Sequence, residues 1–319
     1  RSTLFPYTTL FRSCNLRCRY CMPEGGVPLL THDEVLRFGE VEAVVRAAVE
    51  LGVRSIRLTG GEPLVKRGIL ELVRALGAIE GLEDLALTTN GVLLGPMARE
   101  LRAAGLRRVN IGIPSLDGST WSAIARGPEE LAPRATGAIE AALAAGLAPV
   151  KVNVVMLRGT NDDPTPWLDL VRRLPIEVRF IEFMPMGPSD GADLFVPASE
   201  TEARLREASN VAWERAGSEA GRGPVKETWR VGGSPGTIGF IHAMSDHFCA
   251  RCNRLRLTSD GHLRTCLFSD DELDLKPALR PSIDMERLRA LLREAVASKP
   301  RCIPMDPRHG RRWMGQVGG

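Results

Sequence analysis

Along residues 31–183 the apolar positions alternate between two periods. Short runs rich in Val, Ile and Leu, which are typical of buried strands, alternate with segments whose apolar residues recur at helical spacing. The predicted strands are 53–58, 84–88, 108–113, 149–156 and 178–183, and the predicted helices are 31–51, 68–76, 96–104, 134–145 and 165–173. This order predicts a parallel sheet wrapped by helices, either open or closed into a barrel.

Residues 7–11 are also prone to form a strand, which raises the number of strand–helix units to about six. We therefore predict an α/β fold, a partial (β/α)6 TIM-like barrel, with its site in the loops at the carboxyl ends of the strands. Beyond residue 183 the rhythm breaks, with a predicted helix at 198–208 and a Gly-rich linker or loop at 216–224. The predicted domains are residues 1–215, the barrel, and residues 216–319, a smaller domain.

Composition narrows the class of protein. Of the 319 residues, 44% are hydrophobic and 25% are charged, as in an ordinary soluble globular protein. The net charge of +3 is too small to favour nucleic acid as the main partner, although it suits an anionic small substrate. No apolar run approaches the roughly 18 residues of a membrane span, and no signal peptide is recognisable. We expect a cytoplasmic protein that binds neither nucleic acid nor membranes.

Six of the seven cysteines form two tight groups, a pattern more typical of metal or cluster ligands than of a disulfide framework. The first group is Cys14, Cys18 and Cys21, with Tyr20 before the last cysteine. Three thiolates for four irons leave one iron of a 4Fe–4S cluster open to a small chelating molecule. The alternative, structural zinc, requires a fourth ligand, and the next candidate is the distant His32.

The second group is Cys249, Cys252 and Cys266, and zinc is its alternative to an iron–sulfur cluster. Three histidines could complete a zinc site: His242, His247 and His262. Arg254 and Arg256 follow Cys252, and on a strand they would share one face, where two guanidiniums suit a phosphate or a purine edge.

The first group, together with Gly60-Gly61-Glu62-Pro63 after a predicted strand, resembles the two signature motifs of the radical S-adenosylmethionine (SAM) superfamily. Within it, residues 14–319 resemble the GTP 3′,8-cyclases, the family of molybdenum cofactor biosynthesis protein A. The further stretches that carry this resemblance are Thr88-Thr89-Asn90-Gly91, Lys151-Val152-Asn153, Arg179-Phe180-Ile181-Glu182-Phe183-Met184 and Cys252-Asn253-Arg254-Leu255-Arg256.

The resemblance implies a role for each matching residue. The implied metal ligands form two sets, each holding one 4Fe–4S cluster. The cluster held by Cys14, Cys18 and Cys21 cleaves SAM. The cluster held by Cys249, Cys252 and Cys266 has an open iron that meets the guanine of GTP. The SAM site contains Tyr20, Gly61, Glu62 and Met184. The GTP site contains Arg57, Thr88, Lys151, Arg254 and Arg256, of which Arg256 is also expected to be catalytic.

The resemblance also implies the reaction, a lyase step at the start of molybdenum cofactor (molybdopterin) biosynthesis. A 5′-deoxyadenosyl radical takes the ribose 3′ hydrogen of GTP, and the product is (8S)-3′,8-cyclo-7,8-dihydroguanosine 5′-triphosphate. Expected partners are a reductant such as flavodoxin, cyclic pyranopterin monophosphate synthase as product acceptor, and a second copy in a homodimer. The rival readings are a radical SAM maturase of peptides or sulfatases and a cluster-binding electron carrier or regulator.

Three positions depart from the family pattern. Tyr7 stands where the family has an arginine that contacts GTP, and Gly112 and Pro114 stand where it has serine and aspartate near SAM. We expect weaker binding of both ligands. Residues 1–13, which repeat Thr-Leu-Phe and lack an initiator Met, are expected not to be native, whereas Gly318-Gly319 matches the family and predicts an intact carboxyl terminus. Cys302 is predicted not to be a ligand.

Overall fold

The computed structural model describes residues 5–11, 13–28, 30–186, 191–217, 225, 227–246, 249, 252–300 and 312–317. Its strands are β1 (Phe5–Phe11), β2 (Ser55–Gly60), β3 (Asp84–Thr89), β4 (Arg108–Gly112), β5 (Val150–Met156), β6 (Glu177–Glu182), β7 (Trp213–Gly217), β8 (Thr228–Val231), β9 (Thr237–Ile241), β10 (Arg254–Thr258), β11 (His262–Arg264) and β12 (Glu272–Asp274). Its helices are α1 (Phe38–Glu50), α2 (Ile69–Gly77), α3 (Leu94–Ala103), α4 (Gly118–Ala125), α5 (Ala132–Ala144), α6 (Pro166–Arg173), α7 (Ala198–Ser209), α8 (Lys276–Leu279), α9 (Met285–Ala297) and α10 (Met314–Val317).

The described strands form one sheet in the order β12-β11-β10-β1-β2-β3-β4-β5-β6-β9-β8-β7. Strands β10, β1 to β6 and β9 run parallel, and an antiparallel pair extends the sheet at each end. The predicted α/β class and the parallel order of the first six strands are confirmed. Two strands from the last third of the chain, β9 and β10, widen the parallel part beyond the six predicted units.

The two faces of the parallel strands differ in chemistry because side chains alternate along each strand. One face packs against the helices and is apolar and buried; among its residues are Leu58, Leu87, Ile111, Val152 and Phe180. The opposite face, called here the inner face, is largely polar; it carries Arg57, Thr59, Thr88, Asn110, Lys151, Asn153, Glu177 and Arg179. Parallel strands are usually apolar on both faces, so a polar inner face indicates a ligand.

The first helix begins later than the sequence predicted. Thr31 and Glu34 do form the expected hydrogen bond, from Thr31 N to Glu34 Oε2 at 2.7 Å, but a turn follows and α1 starts at Phe38. The carboxylate of Glu40 accepts the backbone N–H of Arg37 at 2.6 Å and pairs with Arg280 Nε at 2.6 Å. The helix thus begins at a capping box of its own, Arg37 with Glu40, and the pattern at 31–34 closes the turn before it.

Other elements follow the predictions with small shifts of their ends. The helix predicted at 198–208 is α7, and the strand predicted at 178–183 is β6. Helix α4, between β4 and β5, was not predicted. The predicted linker at 216–224 lies mostly outside the described residues. Among the described helices, none combines the length and the apolar character that crossing a bilayer requires.

Candidate active site

A cleft opens at the carboxyl ends of the parallel strands, where βα loops meet. It has about 930 Å³ of space free of protein atoms, part of it open to solvent. Its walls include five residues that were predicted for the SAM-cleaving site: Cys14, Cys18, Tyr20, Cys21 and Gly61. Thr88, predicted for GTP, and Met184, predicted for SAM, also line it. The fold thus brings these seven residues together from β1, β2, β3 and β6.

The first cysteine group lies on the loop that follows β1. Backbone hydrogen bonds from Arg17 N to Ala125 O (3.0 Å) and from Arg19 N to Ile124 O (2.9 Å) hold this loop against the end of α4. A tight turn, closed from Cys21 N to Cys18 O at 2.9 Å, directs the last two cysteines to the same side. The unpredicted helix α4 is therefore the support of the loop.

The three thiols of this group influence one another. Burial raises the pKa of the Cys18 thiol to about 12, and the neighbouring Cys14 sulfur adds to the rise. Burial also raises the pKa of Cys14 and of Cys21. The Tyr20 hydroxyl hydrogen-bonds the Cys18 thiol. The thiols are thus protonated at neutral pH without metal, and bound iron would displace their protons.

The first group supplies three thiols, the number that a four-iron cluster with one open iron takes from the protein. Within the described part of the chain, no three His, Cys, Asp or Glu side chains are arranged to hold one metal ion. Two other residues of the cleft wall, Thr88 and Asn153, have a buried side-chain oxygen with no hydrogen-bond partner among the described residues. A polar molecule bound in the cleft would give Thr88 Oγ1 and Asn153 Oδ1 a partner. The residues present therefore fit a cluster with a small polar molecule beside it.

Glu62, predicted for the SAM site, lies behind the cleft wall. Its side chain is fully buried, and its carboxylate accepts hydrogen bonds from Thr89 Oγ1 at 2.8 Å and from Asn90 N at 2.7 Å. Burial raises the pKa of this carboxyl to about 7, although these hydrogen bonds act in the opposite direction. Its place in the SAM site stays a prediction; its observed contacts hold two strand-end loops together.

The two positions near the SAM site that depart from the family pattern are Gly112, the last residue of β4, and Pro114, which follows it closely. Gly112 lines the cleft, and a Cβ added to it would meet only Thr89 O, at 3.8 Å. Pro114 O accepts a hydrogen bond from Asn161 Nδ2 at 2.6 Å. The cleft is therefore open where the family pattern has a serine side chain.

The residues predicted for GTP, apart from Thr88, lie outside the walls of this cleft. Thr88, Asn110, Lys151 and Glu177 are in register on four neighbouring strands. Arg57 and Arg256 are each in register with position 7 of β1, one on either side. The inner face thus carries cations in two groups, one near β5 and β6 and one around β1.

The sequence analysis did not single out Glu177 or Arg179 as an ion-pair partner or a ligand. Glu177 pairs with Lys151 Nζ at 3.2 Å and with Arg179 Nε at 2.5 Å, and the Lys151 and Arg179 side chains are almost fully buried. The signal available in the sequence was the pair of charged residues at alternate positions in the first half of β6, which is unusual for a buried parallel strand.

The second cysteine group lies at the amino end of β10 and after β11. Cys252 N donates to Cys249 O at 3.1 Å, and Cys266 follows β11, which pairs with β10. Lys299 Nζ donates to Arg254 O at 2.8 Å and also to Thr265 O, so it joins the two segments. Burial raises the pKa of Cys252, but the Lys299 and Arg254 cations outweigh burial and lower it overall, which favours the thiolate that a cluster requires.

The carboxyl-terminal helix α10 contacts the loop of the first cysteine group and the segment after the second group, and the sequence analysis missed it. Gly315 N donates to Cys21 O at 3.1 Å, and Met314 lines the cleft. Met314 and Val317 form a small apolar cluster with Met186, against which Cys21 and the Leu267–Phe268 pair also pack. Because Leu267 follows Cys266 directly, this cluster links the segment after the second group to the loop of the first group.

Arg312 anchors this helix. Its guanidinium lies 2.9 Å from Asp260 Oδ2 and 2.6 Å from Glu272 Oε2. Glu182, in the cleft wall, fixes a third segment, because its carboxylate accepts hydrogen bonds from Met244 N at 2.7 Å and Ser245 N at 2.8 Å. The chain that leads to Cys249 is thereby tied to the end of β6. Cys302 lies outside the described residues.

The chain resembles known proteins over most of its length. The sequence model of the radical SAM superfamily matches residues 8–171, and the model named Molybdenum Cofactor Synthesis C matches residues 176–304. The structure of Streptococcus suis SuiB bound to S-adenosylmethionine superposes with a TM-score of 0.60 at 12% identity, covering 90% of this chain and 63% of that one. At that identity the likeness shows the fold alone.

Two curated relatives are much closer in sequence. The GTP 3′,8-cyclase of Pelotomaculum thermopropionicum is 47% identical over 310 residues, which are 96% of this chain and 94% of the relative. The GTP 3′,8-cyclase of Moorella thermoacetica is 46% identical over 309 residues, with the same coverage. Identity at this level over nearly the whole length, together with the matching family models, shows that the chain belongs to the GTP 3′,8-cyclase family of the radical SAM superfamily.

Proposed function

We propose that this protein converts GTP into (8S)-3′,8-cyclo-7,8-dihydroguanosine 5′-triphosphate, in the first step of molybdenum cofactor biosynthesis. The observation that carries the proposal is a cationic inner face directly below a cleft with three thiols. A triphosphate bears several negative charges and requires Arg and Lys as partners. The cleft supplies the SAM-cleaving chemistry, and the inner face supplies the charge that holds GTP.

In the cleft, Cys14, Cys18 and Cys21 would hold the first cluster, and Tyr20, Gly61 and Met184 would contact SAM. The cluster, when bound, supplies the electron that cleaves SAM into methionine and the 5′-deoxyadenosyl radical that takes the 3′ hydrogen of GTP. The protein's own part is to keep water and other hydrogen donors away from this reaction. The apolar wall formed by Val155, Ile181 and Phe183 supports that part.

For GTP, Lys151 would bind the triphosphate together with Arg57 and Arg254, as the family resemblance implies, and Arg256 would hold the nucleotide in place for cyclisation. Arg256 is 5% exposed and faces the same side of β10 as Arg254. Fixing both reactants in one orientation contributes to rate, on the order of several kcal/mol. Because Arg256 is buried, its loss would not be compensated by a mobile surface cation.

We also propose a second 4Fe–4S cluster at Cys249, Cys252 and Cys266. The lowered pKa of Cys252 and the Lys299 contact with both cysteine segments support it. Anaerobic reconstitution should give about eight irons per chain, as two cubanes require. Cys252→Ser should lose about four of them, whereas Cys302→Ser should lose none. One tightly held zinc with about four irons would instead identify a structural site.

The reaction is tested with GTP deuterated at the ribose 3′ position. Deuterium should appear in 5′-deoxyadenosine, because the 3′ hydrogen is the one abstracted. In Arg256→Ala, SAM cleavage should persist at a reduced level while the cyclised nucleotide disappears. A wild-type sample that cleaves SAM without deuterium transfer would contradict the cyclase assignment and favour the maturase alternative.

The expected partners complete the proposal. A low-potential one-electron donor such as flavodoxin would reduce the first cluster, and cyclic pyranopterin monophosphate synthase would accept the product. A reducing cytoplasm suits thiolate-held clusters. The domain boundary at residues 215 and 216 and the homodimer stay predictions. Light scattering of the reconstituted protein measures the latter.

A further inference from the structure

Glu62, whose side chain is buried, joins the loops after β1, β2 and β3 around the first cysteine group. The backbone N–H of Glu62 donates to Ser13 O at 2.9 Å, one residue before Cys14. Its carboxylate accepts hydrogen bonds from three donors: Leu64 N at 3.0 Å, Thr89 Oγ1 at 2.8 Å and Asn90 N at 2.7 Å. The backbone of Asn90 is therefore fixed relative to the cysteine loop.

The side chain of Asn90 has a defined orientation. Val92 N donates to Asn90 Oδ1 at 3.1 Å, so the amide oxygen faces its own loop and the NH2 group faces the cysteines. Asn90 Nδ2 lies 2.8 Å from Asn15 Oδ1 and 4.0 Å from Cys14 Sγ. The opposite amide orientation would bring oxygen against the Asn15 oxygen and the sulfur, and would leave the Val92 N–H without its acceptor.

We infer that Asn90 is a positioning residue for the first cluster, and that its side-chain N–H donates to the Cys14 sulfur and thereby raises the reduction potential of that cluster. The inference rests on the proposed role of Cys14 as a cluster ligand. Hydrogen bonds to ligand sulfurs are among the determinants of cluster potential. A donor stabilises the additional negative charge that the ligand sulfur bears after reduction, so losing the donor lowers the potential.

Asn90 has a second contact, with Asn15, and this gives a competing structural explanation. In that explanation, Asn90 only ties the cysteine loop to the end of β3, and the sulfur contact has no effect. The two explanations differ in what Asn15 does. Removing the Asn15 side chain breaks the tie and leaves the N–H near sulfur, whereas shortening Asn90 removes both.

The test uses the full-length, anaerobically reconstituted protein and follows the electron paramagnetic resonance signal that changes when SAM is added. Asn90→Ser keeps a side-chain oxygen for the Val92 N–H but is too short to reach Cys14. We expect wild-type iron content and an equilibrium constant for one-electron reduction that is at least about tenfold smaller, which corresponds to about 59 mV. Asn15→Ala, the matched control, also removes an amide oxygen that lies 4.0 Å from Cys14 Sγ, so its midpoint potential should stay at or above the wild-type value.

Equal midpoint potentials in Asn90→Ser and wild type overturn the inference, and so do equal shifts in Asn90→Ser and Asn15→Ala. If Asn90→Ser fails to load iron, its midpoint potential cannot be measured. The comparison then uses Asn90→Gln, because its side-chain amide keeps an N–H donor. The inference then requires Asn90→Gln to load iron and to show a potential closer to wild type than Asn90→Asp does. If the wild-type signal does not respond to SAM, the proposed function itself fails, which is a separate result.

Discussion

Lys151 Nζ lies 3.2 Å from Glu177 Oε2, at positions that are in register on the neighbouring strands β5 and β6. The other oxygen of Glu177 lies 2.5 Å from Arg179 Nε. The three side chains are 4–12% exposed, so water screens their charges weakly. One carboxylate thus bridges two cations that would otherwise repel each other on the inner face, and it holds them, with one positive charge left over, where the proposed triphosphate binds.

Replacing Glu177 should make the thermal stability of the protein depend more strongly on bound GTP. Glu177→Gln removes one partner of a buried ion pair, a change that typically costs about 3–5 kcal/mol. GTP brings negative charge to the same cations and should restore part of the loss through binding linkage. We expect a lower melting temperature without GTP and a larger rise on adding GTP than in wild type, measured by thermal unfolding.

The matched control is Glu200→Gln on the surface. Glu200 pairs with Arg158 at 2.7 Å and Arg204 at 2.8 Å, but these side chains are 31–43% exposed. Surface pairs contribute about 0–1 kcal/mol, so this variant should unfold and respond to GTP nearly as wild type does. A GTP-induced rise of the same size in Glu177→Gln and wild type would show that these cations do not meet the triphosphate.

Gly112→Ser should tighten SAM binding. The cleft has room for the side chain, since the added Cβ would meet only Thr89 O, at 3.8 Å. A new neutral hydrogen bond contributes about 0.5–1.5 kcal/mol, which is roughly two- to tenfold in the dissociation constant. Equilibrium dialysis with labelled SAM on reconstituted protein measures it. Gly112→Ala adds the Cβ without the hydroxyl, and an equal gain in both variants would assign the effect to backbone stiffening instead.

Tyr7→Arg should strengthen GTP binding. Position 7 lies in register between Arg57 and Arg256, so an arginine there adds a third guanidinium to one row of the sheet. A charge-assisted contact contributes about 1.5–3 kcal/mol, or roughly tenfold or more in affinity. Isothermal titration with GTP measures the change, with Tyr7→Gln as the uncharged control. If both variants bind GTP as wild type does, position 7 does not reach the substrate.

Arg312→Met should release the carboxyl-terminal helix from the cysteine loop. Arg312 contacts Asp260 and Glu272, and its loss removes the cation that they share, leaving Glu272 paired with Arg264 and Asp260 with His262. Hydrogen exchange at Gly315 should become fast, because its N–H loses the fixed contact with Cys21 O. Arg289→Met, which breaks the more exposed pair with Glu50, is the control. Unchanged protection of Gly315 in Arg312→Met would show that apolar packing alone holds α10.

The local motifs were predictable from the sequence because their chemistry depends on short spacing. The turn through Cys18 and Cys21 brings two thiols to one side within a few residues, and Gly60-Gly61 ends a strand whose apolar period is visible in the sequence. The alternation of strands and helices likewise follows from periods of 2 and 3.6 residues. These features predicted the α/β class and the position of the cleft at the strand ends.

The start of α1 and the role of Glu62 could not be predicted in this way. The carboxylate of Glu40 caps α1 at Arg37 N and also pairs with Arg280, 240 residues away, a partner that the capping pattern at Thr31 and Glu34 does not indicate. Glu62 belongs to a motif expected at the cleft, yet its carboxylate accepts donors from the next loop. In both cases a buried carboxylate forms hydrogen bonds with a donor that is distant in the sequence, and no local pattern identifies that donor.

The sequence by itself determined the chemistry of this protein: which thiols can carry clusters, and which cations are available for a triphosphate. Only the tertiary structure decided how those groups meet. Strand β10 pairs with β1, from Phe5 with Arg254 to Thr9 with Thr258, and this pairing of the two ends of the chain places Arg256 in the row of Arg57. Helix α10 packs onto the Cys21 loop and onto the Leu267–Phe268 pair that follows the second cysteine group. Such contacts arise from the burial of apolar surface and the pairing of backbone groups between distant segments, and the apolar period of each segment does not specify which distant segment it meets.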